Sequence, residues 1–212
     1  MFFLTINTKE SLTNNILLLD EFEKEIYIPN FPNENEREPF FNIKKRIEEN
    51  GYPKTNIILL IDNDKVIGGC VSDYYPECNS LEIIYLVIDK LYRGNGYGKL
   101  LLNESITLYN NPHVFLEIDN PEQILNTDWI TIDPLQRFNM YLKWGFNVLK
   151  FNYIQPPLSS NGTCEENLLL LYKGPGLNKD VLKDFLYCFY KGLNYENSEE
   201  LKSMFKDIET LF

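Results

Sequence analysis

Apolar and polar residues follow one another along the chain in short runs that predict both strands and helices. Apolar, β-prone runs bounded by turn residues predict strands at 1–7, 56–61, 66–72, 81–88, 114–118, 146–153 and 167–172. Apolar residues at helical spacing predict helices at 14–28, 39–49, 96–109, 133–144, 179–192 and 198–211. This order, with hairpins at both ends, predicts an α/β (α+β) fold in which a mixed, largely antiparallel sheet is flanked by helices.

The helix at 133–144 has the best-marked ends. Asp133 is placed to act as N-cap, and Pro134 suits the first helical position. Gln136 completes a capping-box pattern. Gly145 follows the last apolar residue and suits the left-handed position after a helix.

Length and composition are those of a soluble globular protein. The 212 residues suffice for one domain with a sizeable core, and 44% are hydrophobic and 24% charged. No apolar run approaches the roughly 18 residues of a membrane span. Residues 1–7 lack the basic start and the small-residue cleavage site of a signal peptide. We therefore expect a cytoplasmic protein with no membrane partner.

The net charge and the scarcity of histidine and paired cysteines argue against nucleic-acid binding and metal sites. The formal net charge of −11 disfavours nucleic-acid binding, which needs clustered Lys and Arg, and favours a cationic substrate. The single histidine, His113, and four cysteines without CxxC spacing support neither a metal site nor a Cys–His nucleophile. We expect free thiols and no metal cofactor.

The sharpest candidate for chemistry is a glycine-rich loop between the strand at 81–88 and the helix at 96–109. It reads Arg93-Gly94-Asn95-Gly96-Tyr97-Gly98. Glycines permit positive φ and a close approach to a ligand, and the start of a helix favours an anion such as a pyrophosphate. The GxGxG spacing fits neither the P-loop nor the dinucleotide GxGxxG fingerprint, which weakens the alternative of a nucleotide-binding oxidoreductase.

This loop resembles the signature of the GNAT acetyltransferase superfamily, [Arg/Gln]-x-x-Gly-x-[Gly/Ala], which follows that family's central strand. Arg93, Gly96 and Gly98 fit its three fixed positions. The resemblance implies a GNAT fold whose splayed strands bind CoA, and acetyl-CoA as cosubstrate. Backbone groups of Leu86 and Ile88 would pair with the pantetheine arm. The full set of implied cofactor-binding residues is Leu86, Val87, Ile88, Arg93, Gly94, Asn95, Gly96, Tyr97, Gly98 and Lys99.

A second stretch, Tyr141-Leu142-Lys143-Trp144-Gly145-Phe146, is similar to the family's Tyr-x-x-x-Gly-Phe helix ending. The resemblance implies that Tyr141 lies near the CoA sulfur. Thioester aminolysis expels a thiolate whose parent thiol has a pKa of about 8.5, and a phenol with a pKa of about 10 can donate a proton to it. Tyr141 is therefore the candidate general acid.

Acetylation of an amine also requires a base, because a lysine-like amine with a pKa of about 10.4 is almost entirely protonated at pH 7. Glu117 occupies a strand position at which some family members carry a catalytic glutamate. Glu82 is the rival, an acid that alternates with apolar residues along the strand at 81–88. The sequence leaves the choice between the two carboxylates open.

The residues expected to bind the amine acceptor include a stretch in which the sequence departs from the family pattern. Members commonly place Asn-x-x-Ala shortly before the tyrosine, whereas here residues 120–133 intervene and suggest a lid or substrate loop bearing Trp129. Early helices often line the family's acceptor pocket, so Phe31, Glu34 and Glu36 are candidate substrate residues. The alternative for these acids is a solvated surface.

The resemblance covers 1–174 as an acetyltransferase domain, with 175–212 as a helical extension packed on it. Phe31-Pro32 and the stretch Tyr153-Ile154-Gln155-Pro156-Pro157-Leu158 resemble a subset of uncharacterised bacterial GNAT proteins. The implied activity is transfer of an acetyl group from acetyl-CoA to a primary amine, with a small-molecule or peptide acceptor and a possible homodimer. The alternative is an acyl-CoA-binding sensor without turnover.

Overall fold

The computed structural model describes residues 1–33, 37–122, 133–157 and 162–211. The chain divides into two compact units. The first unit comprises Met1–Tyr74 and Leu81–Asn111, and the second comprises Tyr75–Ser80 and Pro112–Phe212. The predicted fold class is confirmed, since the chain folds as a mixed sheet flanked by helices. The first unit contributes strands in the order β1-β2-β3-β4 and the second in the order β5-β7-β6.

The first unit packs helices on a set of antiparallel strands. Its strands are β1 (Phe2–Ile6), β2 (Lys54–Asp62), β3 (Lys65–Tyr75) and β4 (Ser80–Ile88). Its helices are α1 (Lys9–Asn14), α2 (Ile16–Glu21), a π-helix (Phe22–Tyr27), α3 (Ile28–Asn30), α4 (Phe40–Glu48) and α5 (Tyr97–Thr107). The hairpin of β2 and β3 pairs Ile58 with Cys70, and β1 extends it by pairing Leu4 with Leu59.

The first helical stretch begins at Lys9, earlier than the predicted start at residue 14. A capping box explains the difference, because the Ser11 N–H donates to Thr8 Oγ1 (3.1 Å) and the Thr8 N–H donates to Ser11 Oγ (3.0 Å). The core of this unit lies between these helices and the strands, and its buried residues are Ile6, Leu19, Phe22, Ile26, Tyr27, Phe40, Ile43, Ile47, Ile57, Leu59, Ile61, Val66, Val71, Tyr85 and Val87.

The second unit builds three strands and three helices. Its strands are β5 (His113–Asp119), β6 (Asn147–Val148) and β7 (Leu168–Lys173), and its helices are α6 (Pro134–Lys143), α7 (Lys179–Gly192) and α8 (Glu199–Ile208). β7 pairs antiparallel with both β5 and β6. The predicted separation of 1–174 from 175–212 stays a prediction, and α7 and α8 lie in the same compact unit as β5.

The predicted strand at 146–153 is wrong beyond its first residues, because β6 ends at Val148. The Leu149 N–H still donates to the Leu170 carbonyl (3.0 Å). The chain then leaves the regular strand pairing. The Tyr153 and Gln155 side chains and the Ile154 backbone hydrogen-bond to side chains of β5, α7 and α8, and the Gln155 backbone forms only an isolated bridge to Glu165.

Two adjacent glycines on β3 allow the first unit to pack closely. A Cβ added to Gly69 would lie 2.5 Å from Cε2 of the buried Phe22 ring. A Cβ added to Gly68 would lie 2.8 Å from the Val87 carbonyl oxygen on β4. Both distances are shorter than the contacts that a Cβ atom makes in proteins, so neither position has room for a side chain.

We predict that Gly69→Ala destabilises the protein by about 1–3 kcal/mol, because the Phe22 ring must shift within a packed core. Urea denaturation of the two proteins measures the difference in the free energy of unfolding. Gly176→Ala is the matched control, since nothing lies within 4 Å of its added Cβ. A Gly69→Ala protein as stable as Gly176→Ala would contradict the prediction.

Candidate functional site

The glycine-rich loop joins β4 to α5 in the first unit through a turn of 3-10 helix, Lys90–Tyr92. Gly94 and Gly96 adopt φ values of +83° and +81°, which L side chains rarely tolerate. Nothing lies within 4 Å of a Cβ added to either residue. Gly96 is also the N-cap of α5, and no side chain caps the helix there. The loop therefore presents an open helix N-terminus of the kind that binds anions.

Side chains of the loop itself hold its backbone in this shape. Arg93 Nε donates to the Ile88 carbonyl (3.1 Å), and Nη2 of the same residue donates to Asn30 Oδ1. Asn95 Nδ2 donates to the Tyr92 carbonyl (3.0 Å). The guanidinium of Arg93 thus ties the loop to β4 and α3, and a cofactor role for the predicted residues falls mainly to the loop backbone.

The other predicted cofactor residues differ in exposure. On β4, Val87 is buried in the core, whereas Leu86 and Ile88 are half-buried. Tyr97 and Gly98 are half-buried and Lys99 is exposed. The Lys99 N–H donates to the Gly96 carbonyl (3.1 Å) within the first helical turn. The ammonium of Lys99, not its amide, is therefore the group suited to an anion.

Glu117 is a half-buried carboxylate on β5 in the second unit. Each of its oxygens accepts one hydrogen bond, Oε1 from Tyr153 Oη and Oε2 from Gln155 Nε2. Burial raises the pKa of Glu117 to about 7, although both hydrogen bonds act to lower it. A carboxylate with such a pKa can take up or release a proton near neutral pH.

Tyr141 lies near the end of α6, a helix whose predicted caps are both present. The Asp133 carboxylate accepts from the Leu135 N–H (2.9 Å). The Phe146 N–H donates to the Tyr141 carbonyl (3.1 Å) while Gly145 adopts a φ of +90°. The Tyr141 side chain is 7% exposed, and its ring meets the rings of Trp144 and Phe146 edge-on.

Arg137, one turn before Tyr141, donates to Asp119 at the end of β5 (3.2 Å). This ion pair links α6 to the strand that carries Glu117. The rival carboxylate, Glu82, is 5% exposed on β4 in the first unit. Tyr141 and Glu117 therefore share the second unit, whereas Glu82 lies in the first.

Of the predicted substrate residues, only Phe31 lies within the described ranges. Its ring is half-buried and contacts the rings of Tyr85 (centroids 5.0 Å apart) and Tyr27 (5.6 Å). Glu34, Glu36 and Trp129 lie outside the described residues. The neighbouring Glu38 carboxylate forms an ion pair with Arg46.

Sequence reasoning missed Tyr153 and Gln155 as functional candidates. They lie 36 and 38 residues from Glu117 along the chain, so no local pattern links them to it. Within the described part of the chain, no group of three His, Cys, Asp or Glu side chains could hold a metal ion. Nor does any helix there have the length and apolar content needed to cross a membrane.

Comparison with known proteins identifies the fold and then a family domain. Solved structures with the same fold include a putative GNAT-family acetyltransferase from Bacteroides thetaiotaomicron, at 16% identity and a TM-score of 0.64 over 92% of this chain and 99% of that one. An aminoglycoside 6'-N-acetyltransferase complexed with coenzyme A has 17% identity and a TM-score of 0.56, covering 84% of this chain and 100% of its own. The aminoglycoside 6'-N-acetyltransferase from Enterococcus faecium has 17% identity and a TM-score of 0.53 over the same shares.

Residues 20–124 match the model of the acetyltransferase (GNAT) family, a range that includes both the glycine-rich loop and Glu117. The chain therefore carries a GNAT acetyltransferase family domain over residues 20–124. A search of curated proteins found no match to the sequence.

The raised pKa of Glu117 predicts a pH-dependent cost in stability. Because the folded state favours the protonated carboxyl group, protonation of Glu117 stabilises the fold. This stabilisation is complete below the ordinary pKa of 4.5 and is lost as the pH rises through about 7. Glu117→Gln, which stays neutral, should gain on the order of 1–3 kcal/mol relative to the wild type between pH 4.5 and pH 8. Urea denaturation across this range tests the sign, and parallel curves for the two proteins would refute it.

Proposed function

We propose that this protein is an N-acetyltransferase that moves an acetyl group from acetyl-CoA to a primary amine by direct attack in a ternary complex. The observation that carries the proposal is the open, glycine-lined N-terminus of α5 within the matched family domain. The family domain supplies the acetyl transfer, and the loop supplies a place for an anionic cofactor.

In this proposal the pyrophosphate of acetyl-CoA binds the backbone of Gly94 to Gly98, with the exposed ammonium of Lys99 beside it. Positive φ at Gly94 and Gly96 turns the chain into the helix without a side chain that would obstruct the phosphates. The pantetheine arm pairs with backbone groups of Leu86 and Ile88 at the end of β4, the strand that leads into the loop. Arg93 supports the loop from inside.

Glu117 is the proposed base. The acceptor arrives as an ammonium and must lose a proton before its nitrogen can attack the thioester carbonyl. Glu117 is half-buried as a residue and has a pKa of about 7, so its carboxylate is able to hold that proton near neutral pH. Glu82 is a weaker candidate because it is 5% exposed.

Tyr141 is the proposed acid. After attack, the bond between the carbonyl carbon and sulfur breaks, and the CoA thiolate leaves with the electron pair. A phenol can donate its proton to that sulfur as the charge develops. No acyl-enzyme is required, because the amine nitrogen forms the new bond to carbon directly.

The acceptor is proposed to be a cationic amine. The net charge of −11 favours attraction of cations, and aromatic rings such as that of Phe31 can contact an organic cation. Two neighbours of the same fold are named for acetylation of aminoglycosides, which are amines. The cytoplasmic location and the homodimer stay predictions.

A panel of amines incubated with acetyl-CoA tests the activity through release of free CoA. We expect amine-dependent release that falls about 10²- to 10⁴-fold in Glu117→Gln at pH 7.5, because the ammonium then lacks its proton acceptor. Tyr141→Phe should lose about 10²-fold through kcat. Glu48→Gln, which alters an exposed carboxylate paired with Lys9, is the control and should match the wild type.

The outcomes separate the alternatives. Full activity in Glu117→Gln with loss in Glu82→Gln would transfer the role of base to Glu82. Tight CoA binding without release for any amine would favour a sensor that retains the cofactor site without turnover.

A matched pair of substitutions tests the loop. Asn and Asp both tolerate positive φ and have nearly the same size, and the space outside Gly96 is open to either. Gly96→Asp should weaken CoA binding at least about 10-fold more than Gly96→Asn, since only Asp repels a pyrophosphate at the helix N-terminus. Calorimetric titration with CoA measures both affinities. Equal affinities would show that the phosphates do not bind at Gly96.

A further inference from the structure

Residues 153–155 form an extended segment, here termed the clamp segment, that contacts Glu117 through its side chains. Tyr153 Oη and Gln155 Nε2 donate to different oxygens of the Glu117 carboxylate. Alternate side chains of an extended chain point the same way, which is why residues 153 and 155 both reach it. One donor on each oxygen fixes the plane of the carboxylate and leaves each oxygen further lone pairs for a proton or a substrate.

The main chain of the clamp segment is held by the two C-terminal helices. Tyr190 Oη on α7 donates to the Ile154 carbonyl (2.5 Å), and the Ile154 N–H donates to Met204 Sδ on α8 (3.4 Å). Tyr190 and Met204 are 0% and 1% exposed. Gln155 also exchanges two backbone hydrogen bonds with Glu165 (2.8 and 3.0 Å). The backbone is thus held by partners other than Glu117.

Helix α7 packs on the face of the sheet that carries Glu117. Phe115 lies two residues before Glu117 on β5, and therefore on the same face. Its ring stacks on Phe185 of α7 with centroids 3.8 Å apart and an interplanar angle of 4°. The extension thereby covers the strand beside the carboxylate and also reaches the clamp segment.

We propose that Tyr153 and Gln155 are positioning residues for the proton acceptor Glu117, and that α7 and α8 hold them in place through Tyr190 and Met204. This inference rests on the proposed function, in which Glu117 is the base. The C-terminal helices then belong to the catalytic machinery. Both donors favour the ionised carboxylate against its burial, so they keep the base available near neutral pH.

Titratable groups other than Glu117 also lie near the clamp segment. Tyr190 on α7 has a pKa raised first by burial and then by Cys164, Glu200 and Glu117, which shows that these groups act on the same region. Cys164 and Glu200 are unchanged in every variant below, and Glu117 is replaced only in the variant that assigns its signal. A shift in the titration of Glu117 can therefore be assigned to the hydrogen bond that was removed.

The test is a titration of Glu117 by carbon-13 NMR in protein labelled at its glutamate side chains, with the signal assigned by its absence from Glu117→Gln. We expect Tyr153→Phe and Gln155→Met each to raise the pKa of Glu117 by about one unit, because each removes one donor to the charged form. Tyr190→Phe, which acts through Ile154, should give a smaller shift in the same direction. Tyr187→Phe, on the exposed side of α7, should give none.

The acid limb of the pH profile of kcat/KM should move to higher pH by the same amount in each variant. If the two residues had a merely structural role, their variants would lower the maximal kcat/KM without shifting the acid limb of its pH profile. An unchanged pKa of Glu117 in Tyr153→Phe and Gln155→Met would overturn the inference, even in an active enzyme. If the pKa of Glu117 shifts in the variants but the wild-type protein acetylates no amine, the positioning role of the clamp segment stands and the proposed function is wrong. If Tyr153→Phe does not fold, Gln155→Met decides the matter.

Discussion

The cost of removing a carboxylate from water is the constraint on which much of this structure depends, and the two units meet it differently. In the first unit, Arg46 donates to both oxygens of Glu38 and lies 3.5 Å from Asp73. Burial raises the pKa of both acids, and the guanidinium opposes the rise. In the second unit, Glu117 is held by the neutral donors Tyr153 and Gln155. The cation in the first unit and the neutral donors in the second therefore both oppose the rise in pKa that burial causes.

Neutral donors must be placed accurately, and the C-terminal helices contribute to their placement through contacts with Ile154. The clamp segment lies outside the regular strands, so few sheet hydrogen bonds fix its backbone. Ordering such a segment costs about 1–2 kcal/mol per residue. The buried contacts of Tyr190 and Met204 with Ile154 offset this cost. The two C-terminal helices thus hold a three-residue segment, two of whose side chains, Tyr153 and Gln155, bond the Glu117 carboxylate.

Local patterns in the sequence sufficed for the glycine-rich loop, the ends of α6 and the span of α7, because caps and glycines act within one turn of the chain. They failed at the strand predicted over 146–153. An apolar, β-prone run cannot show that strand pairing will stop after Val148 and that the Tyr153 side chain will bond the distant Glu117. The site could thus be predicted where chemistry is local in sequence, and not where its support comes from distant residues.

The roles proposed for the loop and for the Glu117 carboxylate differ in their dependence on pH. Arg93 and Asn95 satisfy carbonyls of the loop and its flanks, so the backbone already has its shape before a ligand binds. Backbone amides in a preformed loop recognise phosphate without a titrating group, and their affinity for an anion changes little with pH. Glu117, by contrast, changes charge near pH 7. Under the proposed function, cofactor binding therefore stays constant across the pH range in which Glu117 ionises, and the pH dependence of activity lies in the chemical step.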